Sequence, residues 1–195
     1  GTPGSNPNKY FQACIDAAEE LMTNQRYKVG IYNDYYKLFG LDDMSSVDEV
    51  LLYKAYNIND GVFNDVQYAT TFVTTGIGVT WSLVSSYLGK NGEPYDYLNL
   101  IEEYKGNEFL NKIVDEIDPR FHASVWVPGD LVVASRGETF DKPSIDMVDL
   151  YLNPTGFQLK KCSNPESPGA GMGGGGSSET GYIIFRYAEV ILNYA

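Results

Sequence analysis

Between Asn6 and Thr23, apolar and small side chains return every three or four residues: Tyr10, Cys14, Ala17 and Leu21, with Ala18 and Met22 beside them. Only an α-helix lines up such a spacing on one face. Asn6-Pro7 opens the stretch with a side chain suited to capping free amides and a proline whose fixed φ suits the first helical turn. The helix is predicted to run to about Thr23. After Asn24-Gln25-Arg26 comes a second stripe, Ile31, Tyr35, Leu38 and Phe39, closed by Gly40. Two helices joined by so short a turn are expected to pack antiparallel, with Ala13, Ala17 and Ala18 facing the bulkier second stripe as in tetratricopeptide helix pairs. The roughly 34-residue period of a tetratricopeptide array is not visible.

The rest of the chain is less regular. Glu49 to Tyr56, short and rich in Val, Leu and Tyr, reads as a strand. Asn57 to Gly78 scatters turn residues among Phe63, Tyr68 and Phe72 and is expected to be a long loop, the kind of segment that often carries function. Thr80 can cap a helix reaching about Tyr87, and Glu108 to Ile117 gives another. Phe121 to Val127 and Gly156 to Lys160 read as short strands, and residues 162–181 as a flexible Gly/Pro/Ser loop. Tyr182 to Ala195 is expected to be a helix with Arg186 and Glu189 on one side, and its apolar stripe is still running at Ala195, which suggests truncation. The fold class expected is mainly α: helix pairs, a loop-rich region and a few short strands in a single domain fragment over 1–195, truncated at both ends.

A formal charge of -12 disfavours nucleic acid and anionic membrane surfaces, and no Lys/Arg run offsets it. No apolar run approaches the roughly 20 residues that span a bilayer. The 16 Tyr suit either a helical core or a surface that is both wet and adhesive, because each ring joins an apolar face to a hydroxyl.

Recognisable catalytic or cofactor signatures are missing. Cys14 and Cys162 show no metal or redox spacing, and His122, the single histidine, rules out a multi-histidine metal site and reads as structural. Gly169-x-Gly171-x-x-Gly174 and Gly171-x-Gly173-x-x-Gly176 match a dinucleotide fingerprint only because glycine is abundant there, with no strand leading in. Asn57, Asn59 and Asp60 before Gly61 are out of register for an EF-hand. Glu93 with Asp96, or Asp115 with Glu116, could in principle serve glycoside hydrolysis, although adjacent acids more often form a solvated face.

Six segments, in order, resemble the SusD/RagB family of outer-membrane nutrient-binding lipoproteins of Bacteroidetes. They are RYKVGIYNDYYKLF (Arg26 to Phe39), EVLLYKAYN (Glu49 to Asn57), GVTWSLVSSYLGKNGEP (Gly78 to Pro94), DPRFHASV (Asp118 to Val125), GFQLKKC (Gly156 to Cys162) and IIFRYAEVILNYA (Ile183 to Ala195). The resemblance implies a tetratricopeptide-like scaffold with an irregular region laid against it. It also implies capture of glycans at the cell surface and their delivery to a SusC-like, TonB-dependent outer-membrane transporter. The family's lipid-anchored N-terminal part would lie outside this sequence. Neither catalysis nor a cofactor is implied; the alternatives are a helical-repeat protein-interaction module and a glycoside hydrolase.

Sugars offer apolar C–H faces to aromatic rings and hydroxyls to amides and carboxylates. Trp126, between Val125 and Val127, is expected in the core. Trp81, just after the capping Thr80, can project at a helix entrance, while serving equally as an anchor for that helix. Tyr68, Phe72 and Trp81 are therefore the expected stacking platform, with Asn64, Asp65 and Gln67 as hydroxyl partners.

Overall fold

The computed structural model describes residues 6–72, 77–145, 153–172 and 178–195. In chain order the helices are α1 (Pro7–Thr23), α2 (Tyr35–Leu38), α3 (Val66–Thr71), α4 (Trp81–Val84), α5 (Tyr97–Glu103), α6 (Gly106–Glu116) and α7 (Tyr187–Tyr194). The strands are β1 (Val50–Lys54), β2 (Leu131–Val133), β3 (Glu138–Thr139) and β4 (Tyr182–Arg186). Helix predominates among the described residues, and the strands form two two-stranded antiparallel sheets, β1-β4 and β2-β3. The chain divides into two compact units, one made of 1–33, 43–54 and 182–195, the other of 34–42 and 55–181.

In the first unit, α1 starts as expected, with the Asn6 side chain accepting from the Asn8 amide at 3.1 Å. Within this unit its partner is α7: the Tyr194 hydroxyl donates to Glu19 at 3.0 Å. The second helix expected over 31–39 shrinks to the single turn α2, because Asp34 caps at Lys37 N (2.9 Å) and so starts the helix late. Ala18, not Ala17, is the buried small residue of α1.

The expected C-terminal helix is also corrected. Residues 182–186 form β4, with Lys54 opposite Tyr182 and Val50 opposite Arg186, and the helix begins only at Tyr187. Arg186, extended at φ -136 and ψ 155, lies before the helix that carries Glu189 and donates to the buried carboxylate of Glu49 at 3.1 Å. The other oxygen of Glu49 accepts from the Tyr32 amide at 2.7 Å.

The second unit holds two apolar cores. The larger gathers Val84 from α4, Tyr97 and Leu100 from α5, Phe109, Leu110 and Ile113 from α6, and Phe121 and Val125 beyond them. On α6 the buried positions recur at helical spacing, while Lys112 and Glu116 form an i,i+4 pair at 2.8 Å on the wetter side. Helix α5, which propensity alone did not suggest, is capped by Asp96 accepting from the Asn99 amide at 3.2 Å. The smaller core stacks Trp126 on Phe140 at 6.0 Å, with Val132, Val133 and Ala170. Trp126 is fully buried, as expected, and its indole N–H donates to the Thr70 carbonyl at 2.7 Å.

Residues 121–127 are not a strand. Amides of Ser124 and Val125 donate back to the Phe121 carbonyl at 2.8 and 2.9 Å, a tight turn, and only Val125 bridges, to Leu159. Residues 156–160 likewise make isolated bridges rather than a strand, at Gln158 and Leu159. Within the segment expected to be a long loop, residues 57–72 contain α3 and a one-turn 3-10 helix over Ile58–Asp60, while residues 73–76 lie outside the described residues. From 162 to 172 the described residues run through successive turns in which Ser163 and Ala170 are buried, and beyond them Ser178, which bridges to Asn64, and Thr180 are buried as well; residues 173–177, with most of the glycine-rich fingerprint matches, lie outside the described residues. Gly40 is required by packing rather than by helix termination: a Cβ there would lie 2.6 Å from the Ser163 carbonyl oxygen.

Candidate functional site

Around α3, the polar residues expected to meet a ligand are engaged within the fold. Asn64 bridges Ser178 through its backbone, donates from its side chain to the Thr180 carbonyl at 2.8 Å and accepts from the Val66 amide at 3.0 Å. Gln67 is fully buried; its amide N–H donates to the Cys162 carbonyl and the Thr180 hydroxyl, both at 2.9 Å, and its oxygen accepts from the Asn164 amide at 2.8 Å. A glutamine so saturated ties α3 to the 162–180 stretch and leaves no group for a sugar hydroxyl. Asp65 remains exposed at the start of α3.

Tyr68 on α3 and Phe72, the residue that ends it, stack with centroids at 5.5 Å and planes 23° apart. They are half-buried. Trp81 belongs to a different group of rings: Tyr97 edge-on at 5.8 Å, Phe157 tilted at 6.0 Å and Phe109 tilted at 6.5 Å. Among the described residues no ring contact joins Trp81 to the Tyr68–Phe72 stack. The helix α4 that carries Trp81 is held by Thr80, whose hydroxyl accepts from Leu83 N at 3.2 Å.

Trp81 thus anchors α4 and also presents a surface, because it remains 38% exposed although three rings support it. Two of those rings, Phe109 and Phe157, line a cleft of about 340 Å³ that also has Asn107, Thr155, Lys142 and Ile145 in its walls. Tyr97, beneath Trp81, is held to its neutral form by burial, its pKa pushed up to about 12, and its hydroxyl donates to the Tyr87 carbonyl at 2.8 Å. Such an arrangement of fixed rings and an adjoining apolar cleft with polar edges suits a ligand that offers both C–H faces and hydroxyls. The sequence marked Trp81 through its cap; it did not mark Phe157, which comes to Trp81 from far along the chain.

The ionisable pairs have other duties. Asp96 caps α5, and the hydrogen bond from Lys112 chiefly, then that from Tyr95, holds Glu116 below the usual carboxylate range. A general acid of a glycosidase needs the opposite shift. His122 Nε2 lies 2.7 Å from Asp130 Oδ1, and the other Asp130 oxygen accepts from Lys160 at 2.8 Å. Burial would raise the Asp130 pKa, but the donors His122 and Lys160 outweigh it and hold the carboxylate low. The Lys160 ammonium lies over the Tyr36 and Trp126 rings at 4.8 and 5.4 Å, so the network braces the smaller core. Asn57, of the near EF-hand pattern, spends its side chain on the Asn59 amide at 2.9 Å. Cys14 and Cys162 are both free thiols.

Helix predominates among the described residues and the strands are short and paired, and comparison with known proteins defines the family. The model of the SusD family matches residues 49–195, three quarters of the chain. The chain belongs to the SusD family. A crystal structure of a SusD-like carbohydrate-binding protein from Bacteroides fragilis superposes with a TM-score of 0.63 at 21% identity, over 96% of this chain and 36% of that one. The chain therefore spans about a third of the length of that relative, whose likeness concerns the fold. A search of curated proteins found no match.

Proposed function

We propose that this chain contributes a glycan-binding surface to a SusD-family protein, and that it binds saccharide without transforming it. The observation that carries the reading is Trp81: a tryptophan braced by Tyr97, Phe109 and Phe157, still 38% exposed, beside a cleft of about 340 Å³. A ring fixed before the ligand arrives costs little conformational entropy on binding. Membership of the SusD family and the fold likeness to a carbohydrate-binding protein favour the same ligand class. By extension, the protein acts at the cell surface of the outer membrane and hands its ligand to a SusC-like, TonB-dependent transporter. Tyr68 and Phe72 are proposed as a second stacking element, with Asp65 the polar residue at its edge; Asn64 and Gln67 support the backbone beneath.

Calorimetry with neutral oligosaccharides tests this. Trp81→Ala and Tyr68→Ala should each weaken binding by about 1–3 kcal/mol, a range set by aromatic stacking on flat rings in other ligands. Unchanged affinity in both variants would sink the reading. A parallel assay for new reducing ends should find none; turnover abolished by one Asp or Glu substitution would show a hydrolase.

A further inference from the structure

Residues two apart on a helix leave different faces. On the single turn α4, Leu83 therefore points away from the Trp81 ring cluster, and it borders a separate cleft of about 300 Å³. Tyr35, Tyr87, Leu88, Asp118 and Arg120 supply most of its remaining wall. The two tyrosines are fixed in place. Tyr87 stands edge-on to buried Phe121 at 5.8 Å, while Tyr35 stands edge-on to Phe39 at 5.1 Å and its hydroxyl accepts from Lys161 at 2.8 Å. Leu83 and Leu88 are exposed apolar side chains.

The polar part of the cleft is a preset fork. Asp118 accepts from the Arg120 backbone amide at 2.9 Å and from its Nε at 3.0 Å, and it also pairs with Nη2. The Arg120 hydrogen bond holds the Asp118 carboxyl below its usual range, so the pair stays ionised together. One edge of the guanidinium is thereby occupied. Its Nη1 donors have no acceptor among the described residues, and the side chain is 64% exposed.

We propose that this cleft is a second saccharide subsite, distinct from the Trp81 face, that takes one neutral sugar residue. The C–H face of the sugar lies against Tyr87, Leu83 and Leu88, and its hydroxyl and ring oxygens accept from Arg120 Nη1. A hydroxyl of the same sugar donates to Asp118. The preference for a neutral residue follows from charge: Asp118 already neutralises Arg120, and a chain of formal charge -12 offers an anionic sugar no net attraction. The volume lies at the lower end for small-molecule sites, which fits one sugar ring of a longer chain. The inference rests on the glycan-binding reading above.

The test titrates the protein with maltohexaose, xylohexaose, mannohexaose and polygalacturonate. Arg120→Gln removes the donors and Leu83→Asp spoils the apolar edge; both positions are exposed, so melting temperatures should hold. Each variant should bind the neutral hexasaccharide about 5- to 10-fold more weakly, the effect of losing one hydrogen bond or one apolar contact. Binding weakened by Trp81→Ala but untouched by both cleft variants overturns this inference alone. Failure of the unaltered protein to bind any of the four saccharides overturns the glycan reading and the subsite with it. Binding of polygalacturonate alone, abolished by Arg120→Gln, overturns the assignment of a neutral sugar.

Discussion

The two compact units satisfy their apolar side chains in different ways. In the unit of 34–42 and 55–181, Phe121, Val125, Trp126 and Val132 are completely buried, and three helices contribute to the larger of its two cores. In the unit of 1–33, 43–54 and 182–195, Ala18 and Met44 are the buried apolar residues among those described, while Phe185 stays 56% exposed and Leu192 73%. What orders that second group is polar and directional: the β1-β4 ladder, the bridge from Arg186 to Glu49, and the contact from Tyr194 to Glu19. Burial favours any compact arrangement, whereas hydrogen bonds specify one register. One unit is therefore expected to respond to lost volume and the other to lost partners.

The largest effect should come from emptying the smaller core. Trp126→Ala removes a fully buried ring, its stack on Phe140 and its hydrogen bond to Thr70, and should cost about 3–5 kcal/mol in denaturant unfolding. Phe185→Ala, an equally drastic truncation on β4, should change stability by no more than about 0.5 kcal/mol. Equal losses from the two would break the comparison.

Next is the buried carboxylate. Glu49→Gln keeps the shape but weakens both the bond to Arg186 and that to the Tyr32 amide, and about 3 kcal/mol should be lost, the lower end for disrupting a buried ion pair because Arg186 keeps some solvent contact. Amide exchange should quicken on β1 and β4. A loss below about 1 kcal/mol would show that the ladder does not need this bridge.

Asp130 sharpens the contrast from the other side, as a polar device inside the volume-packed unit. Its folded pKa lies below the unfolded value, so the unfolded chain takes up the proton more readily. The stability it contributes is present above the unfolded pKa and is lost as pH falls through the folded one. Thermal melts should therefore drop on acidification below about pH 4, the unfolded aspartate range, and Asp130→Asn should flatten that part of the curve while costing about 2 kcal/mol near neutrality. An identical acid limb in the variant would assign the titration to other carboxylates.

These contrasts also explain which features were legible beforehand. Side-chain caps are local, so the helix starts at Asn6 and Thr80 could be read directly, whereas α6, which starts at Gly106 after Lys105 with no capping side chain, was legible only through its apolar spacing. The run Tyr182-Ile183-Ile184-Phe185 has no period that separates strand from helix, and its pairing with β1 decides the matter through residues more than a hundred positions away. The turn at 121–125 looked like a strand because apolar residues dominate it, although Asp118-Pro119 just before it is a turn signal. At the site, Trp81 was visible through its cap. Gln67 was mistaken for a ligand residue because nothing local shows that the Cys162 and Thr180 segment returns to saturate it. Asp118 and Arg120 stand only two positions apart in the sequence, but their cleft needs Tyr35 and Leu83 from distant segments.

The smallest expected effect concerns the phase of α1. Packing by sequence pattern put Ala17 at a helix contact, where a bulky side chain would overpack; in the structure Ala17 is exposed and its neighbour Ala18 is buried. Adjacent residues on a helix diverge by about 100°, so one of them can face a partner while the other meets water. Ala17→Leu should then shift stability by no more than about 0.5 kcal/mol, as surface substitutions do. Ala18→Leu should cost about 1–3 kcal/mol, because the added methyl groups must displace packed neighbours. Thermal melts of the two variants side by side decide the phase. The reverse order would rotate α1 and restore the contact inferred from the small-residue stripe, and two neutral outcomes would mean that α1, like Phe185, is ordered by its caps and hydrogen bonds rather than by its volume.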